Sequence, residues 1–479
     1  MPRTTDPTDA DVVEYTAPLP PGADPRQTSL TVPTSGGLID RLGWRRFGRN
    51  VWILLLFTLG KGFQISIGAV TINLYVYSLG YKQDFVGLFA GMSALAALLM
   101  AVPAGMISDR LGRKPVLLIT GLITPLTLVA IAFSASVPAV LISSFANGIF
   151  ASFYWVTAVP MLAESVGDDE RVGALAMNSF LLLGIGALGS LVGGFVPEIV
   201  ATWIHQPATH PEPLRAGILA AAVIVTLAAL PLFWLRVPKR AASPETQAAE
   251  QTAQPSDERA QAEAPSGAGR RAQSEPSTVG HQPQAAPRRS MLVLFAMLLI
   301  PDLFLSFGEG MVIGLLQLFF FLKFGLQPGT LGGLFTVAGI LGGLAGLGAP
   351  LLVRRWGKLR TLTSLQFATV PAMLITGFAP WLALSAGAEY MRTMMRAFID
   401  PVYSVFAIEQ LPEDRRATVF GFYSVTWGLG FSLGPTLAGW LQVHIGLFAP
   451  FIVGAFCLLV APTMLLSFFG RKNGRPLGK

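Results

Sequence analysis

Apolar residues in this chain gather in runs too long for one face of a soluble helix and too long for a strand. Twelve runs stand at roughly 51–78, 85–107, 115–134, 137–162, 172–196, 214–236, 291–322, 330–353, 359–379, 381–408, 417–442 and 444–469. As α-helices they are long enough to cross ~30 Å of hydrocarbon. Between the sixth and seventh, residues 237–290 turn to Ala, Pro, Gln, Glu, Ser and Arg, with almost no large apolar side chain to build a core. That stretch predicts a disordered cytoplasmic linker. Residues 1–40, rich in Pro, Thr, Asp and Gly and without an apolar h-region, read as a disordered tail and not a cleaved leader. The expected organisation is a tail at 1–40, a six-helix bundle over 41–236, the linker at 237–290, a second six-helix bundle over 291–470 and a short tail at 471–479.

Polar positions between the runs fix the expected orientation. Leaving the long linker out, the short loops and flanks of one side carry eighteen Lys and Arg residues, whereas the other side carries three: Lys82, Arg215 and Lys323. By the positive-inside rule the rich side is cytoplasmic, and twelve spans put both termini there. Composition agrees, since 52% of the 479 residues are hydrophobic and only 13% charged. The net charge of +7 therefore reports topology, not a nucleic-acid partner. One cysteine, Cys457, excludes an intramolecular disulfide and a cysteine metal site.

The two halves repeat. Gly112 aligns with Gly357, Glu164 with Glu409, Arg171 with Arg416, Gly189 with Gly434 and Gly194 with Gly439, all at one offset of 245 residues. A constant offset implies two bundles related as parallel repeats, with a cavity between them. The expected fold class is thus an all-α membrane protein of twelve transmembrane helices in two pseudo-symmetric six-helix bundles.

The densest charged turn lies between the second and third runs, at Gly105-Met-Ile-Ser-Asp109-Arg110-Leu-Gly112-Arg113-Lys114-Pro115. Gly112 lets the chain reverse, and the three cations suit a cytoplasmic headgroup layer. Asp109, acidic among cations at a helix end, suggests a specific partner such as a cation or a neighbouring helix N-terminus. The stretch resembles the loop signature of the major facilitator superfamily, Gly-x-x-x-Asp-Arg-x-Gly-Arg-Arg/Lys, at every defined position. The resemblance implies that Asp109, Arg110 and Arg113 belong to a charge relay holding one of two alternating-access states. The second copy, Arg354-Arg355-Trp356-Gly357-Lys358, puts Arg354 where Asp109 stands, so the relay is expected in the N-terminal half.

Span five carries Gly184, Gly186, Gly189, Ser190, Gly193 and Gly194, and span eleven carries Gly430, Gly434, Pro435, Ala438 and Gly439. Small residues at this spacing let backbones approach closely. Span five is similar to the Gly-Pro-x-x-Gly-Gly motif of proton-coupled drug antiporters, with Ser190 in place of the proline. Tight helix packing alone accounts for the pattern equally well.

Ionisable residues within spans are costly and point to chemistry. In span ten Glu389, Arg392, Arg396 and Asp400, spaced three, four and four apart, share roughly 80° of one face. Either this stripe neutralises itself along the helix, or its arginines bind an anionic substrate group while a carboxylate takes a proton. Glu389 lies ~13 Å from the outer end of its span, near the midplane. Span one holds Lys61, ~15 Å deep, with Gln64 and Asn73; span seven holds Asp302 and Glu309, seven apart and so on one face. In the resembled family spans one, four, seven and ten line the transport path. The resemblance therefore implies a substrate and proton path through Lys61, Gln64, Asn73, Asp302, Glu309, Glu389, Arg392, Arg396 and Asp400, with a structural Lys61–carboxylate bridge as the alternative.

Span four offers Asn147, Tyr154 and Trp155 as packing or cavity residues, but Ser144 stands where antiporters of the family carry a buried arginine. His205 and His210 are too few for a metal site. No nucleophile elbow, metal-binding His motif or ATP-binding loop is present, so no enzyme, cofactor or metal is expected, and uphill work would draw on a gradient. The expected function is secondary active transport of a small organic molecule by alternating access, coupled to protons, in the direction of drug or metabolite efflux. Proton-coupled uptake of organic anions, a lipid flippase and a non-transporting sensor of the same fold remain open. Expected partners are a small-molecule substrate, protons and the lipid bilayer, for a monomer in the plasma membrane.

Overall fold

The computed structural model describes residues 47–134, 136–236, 288–346, 348–410 and 416–470. The expected tails at 1–40 and 471–479 and nearly all of the expected linker lie outside the described residues. Those described form helices and no strand. In chain order they are α1 (Arg49–Ser78), α2 (Gln83–Leu111), α3 (Arg113–Phe133), α4 (Val137–Glu164), α5 (Asp168–Ser179), α6 (Gly189–Ile204), α7 (Pro211–Ala229), α8 (Arg288–Ile313) and α9 (Leu316–Phe324). They continue as α10 (Pro328–Gly346), α11 (Ala349–Trp356), α12 (Lys358–Phe378), α13 (Leu382–Glu409), α14 (Arg416–His444) and α15 (Ala449–Phe469).

Ten helical segments among the described residues are long and apolar enough to span a bilayer. Two others of span length are more polar: α13 carries the charged stripe of span ten, and α14 is diluted by Gly, Ser, Thr, Tyr and Trp. One compact unit comprises Met1–Leu235 and Leu298–Lys479; a second, Arg236–Met297, contributes to the described residues only Arg236 and the start of α8.

Four spans among the described residues are not single α-helices; span six ends α7 in a 3-10 stretch, Leu230–Trp234. Span five runs from α5 through a π-helical stretch, Phe180–Ile185, and a 3-10 turn, Gly186–Leu188, into α6. The widened turn lies against Gly62 of α1, where a Cβ would meet the Leu182 carbonyl oxygen at 2.6 Å and the Gly186 Cα at 3.0 Å. Close backbone approach and a π-bulge thus occur together. Span seven begins at Arg288, inside the expected linker, and breaks between α8 and α9. At that break the Gly314 carbonyl accepts a 2.8 Å hydrogen bond from Asn73 Nδ2 of α1. Span eight divides into α10 and α11.

Each half packs in the same pattern: α3 against α4 and α7, and α12 against α13 and α15; α2 against α4, and α10 against α13. Glycines make the closest approaches. A Cβ on Gly189 or Gly193 would strike the α1 backbone at Phe63 or Ile67, and one on Gly434 would strike α8 at Gly310 and Met311. The loops repeat as well, since Gly112 (φ +86°) and Gly357 (φ +77°) both take positive φ, which side-chain-bearing residues adopt only with strain.

The halves meet through α2 with α14 and α6 with α10. These contacts concentrate at the end opposite the basic loops: Gly87 against Pro435, Gly439 against Gln83 and Asp84, Gly194 against Pro328 and Gly329. Glu198 Oε1 accepts from the Gly329 backbone N–H at 2.8 Å, and the Tyr77 and Phe321 rings pack edge to face at 6.2 Å. Near the middle of the spans Gly428 lies against Leu98 and Gly343 against Gly184. Beyond them, at the basic end, Met106, Leu111, Asp109 and Arg110 are exposed. The bundles are closed at the end away from the basic loops.

Candidate functional site

Three charged groups meet in the core of the C-terminal half. Arg392 of α13, only 2% exposed, donates from Nε and Nη2 to the two oxygens of Glu389 at 2.9 and 2.7 Å. Its Nη1 donates to Glu309 Oε2 of α8 at 2.5 Å. Both carboxylates are buried, and Thr393 Oγ1 adds a 3.2 Å bond to Glu389. Desolvating an ion costs several kcal/mol, so three such groups persist at this depth only with nearly every lone pair and N–H matched. The helical spacing of three residues brings Glu389 to Arg392, and packing brings Glu309 to both. The triad holds two carboxyl groups against one guanidinium.

Two helical turns away along α8, Asp302 is fully buried and accepts from Thr426 Oγ1 of α14, while its Oδ1 has no partner among the described residues. An unmatched buried carboxylate oxygen is uncommon and signals a place where a proton or a ligand donor fits. Beside it the Tyr403 and Tyr423 rings stack at 5.7 Å, with Tyr403 Oη donating to the Leu298 carbonyl at 2.7 Å. Trp427 Nε1 donates to Tyr423 Oη at 3.0 Å, and its ring stacks on Phe431 at 4.7 Å. The guanidinium carbon of Arg396 stands 5.3 Å from the Trp427 ring centroid, and Arg396 Nε lies 3.8 Å from Asp400 Oδ2.

The stripe of span ten is therefore divided. Glu389 and Arg392 face inward toward α8 and are sealed, whereas Arg396 and Asp400 keep 28% and 45% of their side chains exposed.

Lys61 lies apart from these carboxylates in its interactions. Buried to 3%, it donates to Gln64 Oε1 at 2.6 Å and stands 5.1 Å over the Tyr154 ring of α4. Among the described residues no carboxylate pairs with it, so the alternative of a structural Lys61–carboxylate bridge has no contact here. Close by, Thr58 Oγ1 donates to Asn178 Oδ1 at 2.8 Å. Asn73, expected on the path, hydrogen-bonds the Gly314 carbonyl at the break in span seven. Asn147 donates to Thr127, Ser144 donates to the Phe89 carbonyl, and Trp155 is exposed.

At the basic end Arg113 Nη1 pairs with Glu164 Oε2 at 2.5 Å, and Lys358 pairs with Glu409. Gly105 lies beside Val156, while Asp109 and Arg110 are exposed and form no ion pair among the described residues. The partner expected for Asp109 is not there in this closed-at-the-far-end arrangement. His210 bonds Glu212 at 2.6 Å, and no group of three or more metal-ligating side chains occurs among the described residues.

Sequence reasoning missed Thr426, Tyr403, Tyr423 and Trp427. The signal available was the spacing of Tyr423, Trp427 and Phe431, four residues apart on one face of span eleven.

Compared with known proteins, the sequence matches the family described as Major Facilitator Superfamily over residues 52–391 and 303–479. The chain belongs to the major facilitator superfamily. It is similar to the multi-drug resistance efflux pump PmrA of Streptococcus pneumoniae, 27% identical over 165 residues, which cover 34% of this chain and 40% of the pump. It is also similar to the tetracycline resistance protein, class B, of Escherichia coli, 26% identical over 191 residues, covering 39% and 43% of the two chains. The chain spans about two fifths of the length of these curated relatives. Among solved structures it resembles a D-xylose-proton symporter with TM-score 0.67 and 15% identity over 89% of this chain and 99% of that one. It also resembles the nucleoside transporter NupG with TM-score 0.64 and 15% identity over 88% and 100%. At such identity these likenesses show the fold. The protein is a multi-pass membrane protein of this superfamily.

Proposed function

We propose that this protein is a proton-coupled secondary transporter that moves small organic molecules out of the cell across the plasma membrane. The observation that carries the reading is the sealed Glu309–Arg392–Glu389 triad tying α8 to α13. Two carboxyl groups share one guanidinium in it, so either can take a proton while the other keeps its contact with Arg392. A proton on Glu309 or Glu389 replaces an ion pair by a neutral contact and frees part of Arg392, which loosens the link between two path-lining spans. Coupling needs such a step: the ion must change the relative stability of the two conformations by its differential interaction with them.

With the basic loops on the cytoplasmic side, as the distribution of Lys and Arg favours, the bundles are closed outward and open to the cytoplasm. That is the loading state for an exported substrate. The efflux-pump relatives support the direction. Arg392 is a poor anion receptor because its hydrogen bonds already go to carboxylates.

The test is proton movement in sealed proteoliposomes under an imposed pH gradient, with a panel of cationic dyes and organic acids, comparing wild type with Glu389→Gln and Glu309→Gln. Substrate-dependent proton flux in wild type, lost in Glu389→Gln while uncoupled substrate exchange continues, is the expected result. Substrate movement indifferent to the gradient and without proton flux overturns the reading.

A further inference from the structure

The remaining arginine of span ten has a different situation. Arg396 sits fourteen residues from Leu382 and thirteen from Glu409, so each end of α13 is ~20 Å away along the axis. It is at the middle of the helix's length, with 28% of its side chain exposed. A charge facing lipid at that depth is strongly disfavoured, so the exposed part faces the water-filled space between the bundles.

Its guanidinium makes no hydrogen bond to any described residue. The single ionic neighbour, Asp400, approaches Nε at 3.8 Å, beyond hydrogen-bond distance, and is itself 45% exposed and open to water. What holds Arg396 is an aromatic wall. Its charged plane lies over Trp427, whose other contacts are the Phe431 stack at 4.7 Å and 10° and the Nε1–H bond to Tyr423 Oη. Tyr423 is in turn stacked on buried Tyr403. A guanidinium fixed on a ring with its donors unfilled is pre-organised to receive a planar acceptor in the bidentate manner, and it keeps that affinity because little rotamer freedom is left to lose.

We infer that the substrate carries a carboxylate on an aromatic or flat apolar body, with the carboxylate seated on Arg396 and the body lying along the wall of Trp427 and Tyr423. The arginine assigned to substrate is thus Arg396, and Arg392 is left to its carboxylates. This rests on the reading of the chain as a transporter but not on its coupling to protons.

Three probes with one ring system test it: 2-naphthoate, 2-naphthylmethylammonium and 2-naphthalenemethanol, titrated calorimetrically into the detergent-purified full chain. Naphthoate is expected to bind at least tenfold tighter than the alcohol. Arg396→Gln removes that preference, and Trp427→Leu weakens naphthoate at least fivefold. Arg396→Lys keeps the charge but not the fork, and it is expected to lose most of the preference; this variant decides the matter if Arg396→Gln does not fold.

Equal binding of acid and alcohol, tighter binding of the ammonium, or a naphthoate preference that survives both Arg396 variants overturns the inference. Glu389→Gln separates the two proposals. Retained naphthoate binding without proton flux is expected of it. Proton flux in wild type without naphthoate preference sinks only the substrate assignment, and naphthoate preference without any wild-type flux sinks only the coupling.

Discussion

Arg113 at the start of α3 and Glu164 at the end of α4 form an ion pair with Nη1 and Oε2 2.5 Å apart, and the same pair recurs 245 residues later as Lys358 with Glu409. Each clips the basic end of one half to itself, not one half to the other. Both are partly open to water, so each contributes only about 0.5 kcal/mol to stability. Replacing Arg113 and Lys358 by Gln, singly and together, is expected to lower thermal stability slightly and additively, because the sites share no partner. Strong non-additivity in detergent unfolding would show that the two halves communicate.

Arg392 and Lys61 make a contrast in how a buried cation is tolerated. Arg392→Met strips two buried carboxylates of their counter-charge and is expected to cost about 3–5 kcal/mol. Lys61→Met removes a cation that has only Gln64 and a ring for company, and it is expected to leave stability near wild type or raised. Unfolding midpoints of the purified variants check this. A larger loss for Lys61→Met than for Arg392→Met would mean Lys61 has an anionic partner in another conformation.

Gly87 and Gly439 let α2 and α14 touch backbone to backbone at the closed end, where any Cβ would overlap Pro435 or Gln83. Gly439→Val should force the helices apart there. The expected readout is increased accessibility of introduced cysteines facing that end in a Cys457→Ser background, with reduced transport turnover. Unchanged accessibility would mean the helices repack without opening.

Asn73 is the one side chain that hydrogen-bonds the broken turn of span seven from the other half, through the Gly314 carbonyl, among the described residues. A net ~1 kcal/mol for such a bond corresponds to a shift of about fivefold in a two-state population. Asn73→Ala is therefore expected to lower the fraction closed at this end. Distances between spin labels at Ser78 and Gln327 would report it, and an unaltered distribution would place the closing energy in the glycine contacts alone.

Much of the architecture was legible in the chain. Hydrophobic runs, the basic loop signatures and the 245-residue offset are local or periodic properties, and the helices fall where those properties put them. Departures occur where a neighbour intervenes. The π-helical stretch of span five forms beside Gly62, and span seven breaks where Asn73 reaches Gly314, two contacts with no trace in the runs themselves.

The candidate site divides in the same way. Helical spacing alone placed Glu389, Arg392, Arg396 and Asp400 on one face, because a side chain's direction follows from 3.6 residues per turn. Whether those charges neutralise one another or meet a ligand depended on residues far away in the chain. Glu309, 83 positions before Arg392, closes the triad, and Trp427 of another helix takes Arg396 instead. Sequence determined the spans, their repeat and the face that carries charge. Only the tertiary packing decided which cation is sealed and which is open, since burial and partnership are properties of helices brought together, not of any one helix.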